Sequence, residues 1–294
     1  MLKEFASAKV NLTLEVHGRV PTGYHALNSL VAFAGAVGDR LTLEPGPGLA
    51  LEVYGPEAPG IVGANNLVTT VVEAARRANP DLIAGTFRLD KWLPIASGIG
   101  GGSADAAAAL RALARANGIA DAEAAFAAMA GGIGADIPVC IGGNGSQAAF
   151  MSGIGDQVWR PSTGSVLPPD GLAAILVNPR VPVPTGTVFK KLAAFPIASV
   201  PVSQAPPSFA TANDCLAFIA SSRNDLEAPA IGEVPVIADV LAALRQLPRC
   251  RLARMSGSGA TCFALFDAMA SAHDAAHRLS KVQPDWWVEA ARLT

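Results

Sequence analysis

From residue 10 to residue 16 apolar side chains occupy every second position: Val10, Leu12, Leu14 and Val16. A period of two predicts a half-buried strand and gathers Lys9, Asn11 and Thr13 on its opposite, polar face. GRVPTG at Gly18–Gly23 then reads as a turn-rich break. Further strand-like runs follow at Leu27–Ala34, Arg40–Glu44 and Leu49–Tyr54, with Pro45–Gly48 expected to make a hairpin between the last two. After Asn66 the period becomes helical. Leu67, Val68, Val71, Val72 and Ala75 share one face, Asn66 is placed to cap it, and Pro80 stops it. Ser103 is the expected cap of an alanine-rich helix that ends at Asn117-Gly118. A third helix is expected over Asp121–Ala130, before Gly131-Gly132.

Pro, Ser and Gly gather at Pro161–Gly171, where a domain boundary is expected, dividing the chain into residues 1–160 and 161–294. Beyond it come an apolar strand (Leu172–Val177), an irregular region at Ser199–Ser208 and a helix over Val236–Leu247. Arg251–Met255, the glycine turn SGSGA and a strand at Thr261–Phe266 follow. A helix (Ser271–Lys281) and a strand (Trp287–Ala291) close the chain. Strands and helices interleave in both halves, so the class is α+β or α/β. There is no internal repeat.

Composition narrows the functions available. The 294 residues are 51% hydrophobic and 16% charged, which argues for a filled core and against disorder. With 22 basic and 24 acidic residues the formal charge is −2, and no long run of either sign gives the footprint that nucleic acid requires. Cys140, Cys215, Cys250 and Cys262 are far apart and form no CxxC pair, so no zinc site is expected. The opening MLKEFASAKVNLTLEV alternates polar and apolar residues, unlike a signal peptide. No apolar run has the length of a membrane span. A cytoplasmic chain is expected, without nucleic-acid or membrane partners.

The strongest local signal is PIASGIGGGSADAAAA at Pro94–Ala109. Its glycines, Gly98, Gly100, Gly101 and Gly102, let the backbone approach a ligand closely. The helix that follows opens with unpaired N–H groups and a partial positive charge. Together these make an anion site, most naturally for phosphate. A flexible linker needs no such glycine cluster beside an amphipathic helix. Walker A would require a lysine after the last glycine, where Ser103-Ala104 stands, and the dinucleotide fingerprint a glycine at Ser103.

PIASGIGGGSADAA resembles the second motif of the GHMP kinases, whose loop wraps the phosphates of ATP. ASAKVNLTLEVHGRVPTGYH resembles that family's first motif, and RMSGSGATCFALF its third. The GR-x-x-x-GYH continuation, GADIPVCIGG and NDLE at Asn224–Glu227 are similar to one branch, the diphosphocytidyl-methylerythritol kinases. The resemblance spans nearly the whole chain. It implies a two-domain α+β fold with the active site in the cleft between domains. It also implies ATP as co-substrate, Mg²⁺, a cytidine diphosphate-linked methylerythritol as substrate, and a monomer or weak dimer. Pro94, Ile95, Ala96, Ser97, Gly98, Ile99, Gly100, Gly101, Gly102, Ser103 and Ala104 become the ATP loop. Ile99 stands where the family has leucine, and Ala104 where a second serine is usual. Any role of that second hydroxyl falls to Ser103, Asp105, the backbone or water, so the metal ligands stay unassigned.

Other residues carry a plain reading and a functional one. Asp136, beside glycine, suits a turn, yet an acidic residue entering an apolar stretch is costly unless paired or employed. The resemblance makes it the catalytic base. Lys9 alone would be an ordinary solvated lysine; by resemblance it neighbours Asp136 and the substrate hydroxyl, with Asn11 as an orienting partner. Tyr24 and His25 would otherwise be a turn aromatic and a surface imidazole. By resemblance Tyr24 stacks on the cytosine, His25 reads its edge and Phe189 takes the other face, while Gly257 and Ser258 approach the substrate. Rival readings are a homoserine- or mevalonate-type kinase of the same family, a nucleotide-binding regulator without turnover and, further off, a dinucleotide oxidoreductase.

Overall fold

The computed structural model describes residues 1–20, 23–60, 66–192 and 208–294. Pro21-Thr22 of the GRVPTG break and residues 199–207 of the irregular region lie outside the described residues. In the first half the elements are β1 (Leu2–Asn11), β2 (Glu15–Arg19), β3 (His25–Gly46), β4 (Leu49–Tyr54), α1 (Leu67–Ala78), β5 (Ala84–Asp90), α2 (Gly101–Ala116), α3 (Ala122–Gly131) and α4 (Ile137–Ile141). Next come β6 (Ala149–Ser152), β7 (Gln157–Trp159), β8 (Leu172–Asn178), α5 (Thr185–Leu192), α6 (Ala212–Ser221) and α7 (Glu227–Ile231). The chain closes with α8 (Val236–Arg245), β9 (Leu252–Met255), β10 (Cys262–Phe266), α9 (Met269–Val282) and β11 (Trp287–Leu293).

The chain forms two compact units that interleave in sequence. The first comprises Met1–Lys9, Val37–Ile95 and Gly100–Gln147; the second comprises Val10–Ala36, Ala96–Ile99 and Ala148–Thr294. Residues of β1 and β3 are divided between them.

In the first unit β3 pairs antiparallel with β5, from Arg40↔Asp90 to Gly46↔Ala84. β4 pairs with β5 and runs parallel to it, Leu49 opposite Gly85. Pro45–Gly48 is therefore no hairpin between paired strands, because β5 lies between β3 and β4; α1 lies in the crossover from β4 to its parallel neighbour β5. α1 forms as its periodicity predicts: Val68, Val71, Val72 and Ala75 are buried, and Asn66 Oδ1 accepts from Val68 N at 2.9 Å. Every residue of α2 from Ala104 to Ala114 is buried. Its run of alanines leaves room for α1 and α4 to approach closely. Arg111, midway along α2, donates to Glu4 Oε2 at 3.0 Å, Phe5 O at 2.8 Å and Cys140 O at 2.7 Å. One side chain thus holds β1 and α4 on the helix.

In the second unit β8 (LAAILVN) is buried at every residue, as a continuous apolar run requires when both faces are covered. It lies between β11 and β10, antiparallel to each, and β10 continues to β9. β11 meets β3 at Leu293↔Ala34, and β3 in turn pairs with β2 and β6. Ile237, Val240, Leu241 and Leu244 of α8 and Ala272, Ala275 and Leu279 of α9 pack into the core beneath this sheet. Among the described residues no helix is long and apolar enough to cross a membrane.

Three local expectations change. The opening strand is β1, which ends at Asn11, and the chain re-enters the sheet at Glu15. Its polar face is buried as deeply as its apolar one, with Lys9, Asn11 and Thr13 at 2–4% exposure. Ser103 is not the helix cap: α2 begins at Gly101, with left-handed Gly100 before it (φ 63°) and no side-chain cap. Pro138 lies in the first turn of α4, where its missing N–H is no loss.

Candidate active site

Lys9 is 2% exposed and sits with Nζ 2.9 Å from Asp136 Oδ1. The aspartate lies just before α4, makes no capping bond and keeps 38% of its side chain exposed. One carboxylate oxygen is thus fixed by a buried cation while the group stays open to solvent. Residues 127 positions apart in sequence (136 − 9) are joined. Gly100, in the phosphate-type loop, packs on the same lysine: a Cβ there would stand 3.1 Å from Lys9 Cε. The glycine at this point gives the lysine stem its place.

The second charged cluster of this unit was not expected. Lys91 Nζ lies 2.6 Å from Asp39 Oδ2 and 2.6 Å from Asp105 Oδ2, and none of the three residues exceeds 3% exposure. Asp39 Oδ1 accepts from Trp92 N (2.6 Å) and Leu93 N (2.9 Å), whereas Asp105 Oδ1 is buried without a partner. Asp105 therefore points into the interior, toward Lys91. Burial would lower the Lys91 pKa, but the Asp105 and Asp39 charges prevail and raise it. Burial pushes Asp105 up to about 8, against the pull of Lys91 and with the help of Asp39. The less satisfied carboxylate is the one that takes the proton.

A raised folded pKa means that the stability Asp105 contributes is full below its ordinary 3.8 and is lost as pH rises through about 8. Asp105→Asn, uncharged throughout, is expected to hold its melting temperature better than the parent between about pH 4 and pH 8. Parallel melting curves over that range would show that Asp105 does not titrate there.

In the second unit the glycine loops meet backbone to backbone. Gly98 has φ 76°, and a Cβ on it would lie 2.5 Å from Ser256 O. Gly257 has φ 56°, and its Cβ would lie 2.7 Å from Gly98 O. Ser256 Oγ accepts from Asn11 N at 3.0 Å and donates to Gly98 O at 3.0 Å, so one hydroxyl links the three glycine- and strand-borne motifs. Thr261 N donates to Ser97 O, Val183 N to Ala96 O, and Ser258 Oγ shares a 2.8 Å bond with Thr185 Oγ1. Asn11 Nδ2 donates to Ser29 Oγ at 2.8 Å. Of the loop residues, Pro94, Ser97, Ile99 and Ala104 are buried, Ile95, Ala96 and Gly102 are exposed, and Gly98, Gly100, Gly101 and Ser103 lie between. The position of the missing second serine is thus an inward one.

NDLE acts on this turn. Asn224 Nδ2 donates to Met255 O (2.8 Å) and Gly257 O (2.9 Å), Glu227 Oε2 accepts from Met255 N (2.9 Å), and Asp225 Oδ2 accepts from Val16 N (2.7 Å). Arg254 reinforces the arrangement by donating to Leu12 O, Ile219 O and Ser222 O. These are supports of the glycine turn, and no local sequence pattern announces them.

Tyr24 is 65% exposed, an open aromatic face. His25 does not stand alone at its side: its ring stacks on Phe189 of α5, centroids 5.1 Å apart at 28°. Phe189 packs partly on the core of this unit, and its face is shared with the histidine. Burial, and then the Arg19 charge, lower the His25 pKa, so the ring is neutral at pH 7 and offers one donor and one acceptor. Among the described residues no group of three or more His, Cys, Asp or Glu is placed to hold a metal.

Comparison with known proteins accords with this geometry. The family description "GHMP kinases N terminal domain" matches residues 66–153, and "GHMP kinases C terminal" matches residues 208–285. The chain is 48% identical to a 4-diphosphocytidyl-2-C-methyl-D-erythritol kinase of Nitrobacter winogradskyi, covering 99% of this chain and 94% of that one. It is 50% identical to one of Methylobacterium radiotolerans, covering 98% and 97%. A crystal structure of a 4-(cytidine 5'-diphospho)-2C-methyl-D-erythritol kinase superposes with TM-score 0.74 at 28% identity, over 99% of each chain. A homoserine kinase from Cytophaga hutchinsonii shares the fold, with TM-score 0.70 at 18% identity over 99% of this chain and 94% of that one. The chain belongs to the GHMP kinases, with their two-domain α+β fold and ATP-dependent phosphotransferase activity.

Proposed function

We propose that this kinase transfers the γ-phosphoryl group of ATP to the 2-hydroxyl of 4-diphosphocytidyl-2-C-methyl-D-erythritol, directly and without a phospho-enzyme. The observation that carries the chemistry is the buried Lys9, 2.9 Å from a half-open Asp136 carboxylate, with a loop glycine packed on its stem. The near-half identity to kinases of that name over almost the whole chain supports the substrate.

In this reading Asp136 takes the proton of the attacking hydroxyl. The hydroxyl oxygen bonds to the γ-phosphorus, the bond from that phosphorus to the β,γ-bridging oxygen breaks, and ADP leaves. Lys9 places a positive charge beside Asp136 and lowers the pKa of the hydroxyl. Backbone N–H groups of residues 95–103, which include the start of α2, hold the phosphates in line. Mg²⁺, when bound, would neutralise phosphate charge, with the Ser103 hydroxyl as the available side-chain oxygen of the loop. Tyr24 supplies a stacking face for cytosine, and neutral His25 with Phe189 behind it reads the base edge. A cytoplasmic setting and a monomer or weak dimer belong to the same proposal.

A substrate screen tests the reading: cytidine-bearing alcohols should be phosphorylated and cytidine-free ones, homoserine and mevalonate included, should not. Loss of base stacking is worth about 1–3 kcal/mol. Tyr24→Ala should therefore raise KM for the cytidine substrate by roughly 5- to 150-fold, with KM for ATP unchanged. An unaltered KM for the alcohol would favour a homoserine- or mevalonate-type substrate instead.

A further inference from the structure

We propose that the buried Lys91–Asp39–Asp105 triad is the positioning unit of the ATP loop, clasping its entry to its exit so that the loop is held in its phosphate-binding shape before the nucleotide arrives. The proposal rests on the reading of residues 94–104 as a triphosphate site.

The contacts fall at the two ends of that loop. At the entry, Asp39 Oδ1 takes the N–H groups of Trp92 and Leu93, the residues immediately before Pro94. Lys91 itself is fixed through its backbone, donating from N to Tyr54 O at 2.7 Å and accepting from Glu57 N at 3.1 Å. At the exit, Lys91 Nζ grips Asp105 in the second turn of α2. It also lies 3.2 Å from where a Cβ of Gly101 would stand. Between these anchors the backbone takes left-handed values at Ala96, Gly98 and Gly100, a path with no regular ladder of its own. A short segment of that kind loses much of its freedom when both ends are pinned. Binding energy then need not be spent on ordering it.

Charge is a poor choice for this spot if stability alone were served. A buried cation between two carboxylates loses its hydration, and apolar side chains of similar volume are commonly as stable or more so. What an ionic cluster supplies is direction: the ammonium group fixes two carboxylate oxygens at 2.6 Å, and Asp39 relays that position to the backbone. Neither Lys91 nor the two aspartates reaches the surface, so all three act through the loop and not on the reactants.

The test varies ATP and the alcohol substrate separately in the full-length enzyme and measures the Kd of a fluorescent ATP analogue. Asp105→Ala should raise both KM for ATP and the analogue's Kd by about tenfold or more, and leave KM for the alcohol within about twofold. Asp105→Asn keeps an oxygen for Lys91 and should return both ATP constants to within about threefold of the parent. The paired variant Lys91→Met, Asp105→Leu removes both partners of the 2.6 Å contact and leaves Asp39 on its two N–H groups. It should repeat the ATP-specific loss, and it decides the matter if Asp105→Ala does not fold. Folded variants with the parent's KM for ATP overturn the proposal, as does a parallel fall affecting both substrates. Failure of Asp105→Ala and the paired variant alike to fold assigns the triad to stability alone and overturns it too. Should the parent enzyme not bind the analogue, the reading of the loop itself fails first.

Discussion

Asp136→Asn is expected to lower kcat by about 10²- to 10⁴-fold, the usual worth of a positioned base. The structural argument is the pairing: a lysine removed from water holds one carboxylate oxygen at 2.9 Å, while the group as a whole keeps 38% of its surface open. An amide of the same shape leaves the ammonium an oxygen to bind but cannot take up a proton. The nucleotide is held by other residues, so the Kd of an ATP analogue should stay within about threefold of the parent. A fall in kcat of less than about tenfold would remove Asp136 from the role of base. A parent protein that bound ATP but turned over no alcohol would instead be the regulator that the glycine loop alone also allows.

Gly98→Ala carries the second large effect. The residue stands at φ 76°, where a side chain adds about 1–2 kcal/mol of strain. A Cβ there would also lie 2.5 Å from Ser256 O and 2.7 Å from both N and O of Gly259. Backbone cannot swing aside as a flexible side chain can, so one glycine loop must move off the other. Shifts of this size misplace bound phosphates, and kcat/KM for ATP should fall by about 10²-fold or more, with a lower melting temperature. Gly232→Ala, outside the proposed site, is the control: its Cβ would meet only the carbonyl oxygens of Pro229 and Ala228, at an ordinary 3.5 and 3.6 Å. Kinetics alike in the two variants would mean that the contact between loops is unimportant.

Much of this was legible in the chain because some signals are local. A cluster of glycines ahead of alanines declares a close backbone approach wherever it falls, and Asn66 before an apolar stripe declares a helix start. Lys9 was different. Alternation correctly separated it from Val10 and Leu12, but period two says nothing about whether the polar side of a strand meets solvent, and here it does not. Only resemblance joined it to Asp136. Asp105 offered a faint sign, one carboxylate in an alanine run, yet its partners stand at residues 39 and 91, and no periodicity links three such places. Pro45–Gly48 misled for a related reason. Turn chemistry describes a bend, while the choice of neighbour is made by the sheet, and β4 pairs beyond the bend with β5. NDLE likewise showed its identity but not its work, because its bonds go to backbone some thirty residues away.

Arg111 gives α2 a double duty. The helix whose first turn follows the glycine loop also grips, through one guanidinium, the strand that delivers Lys9 and the short helix that follows Asp136. In the proposed site, phosphate loop and proton acceptor are therefore gauged from a common rod. A disturbance deep in that rod, remote from either reactant, reaches both stations together, and neither can be retuned alone by slipping the helix along its axis.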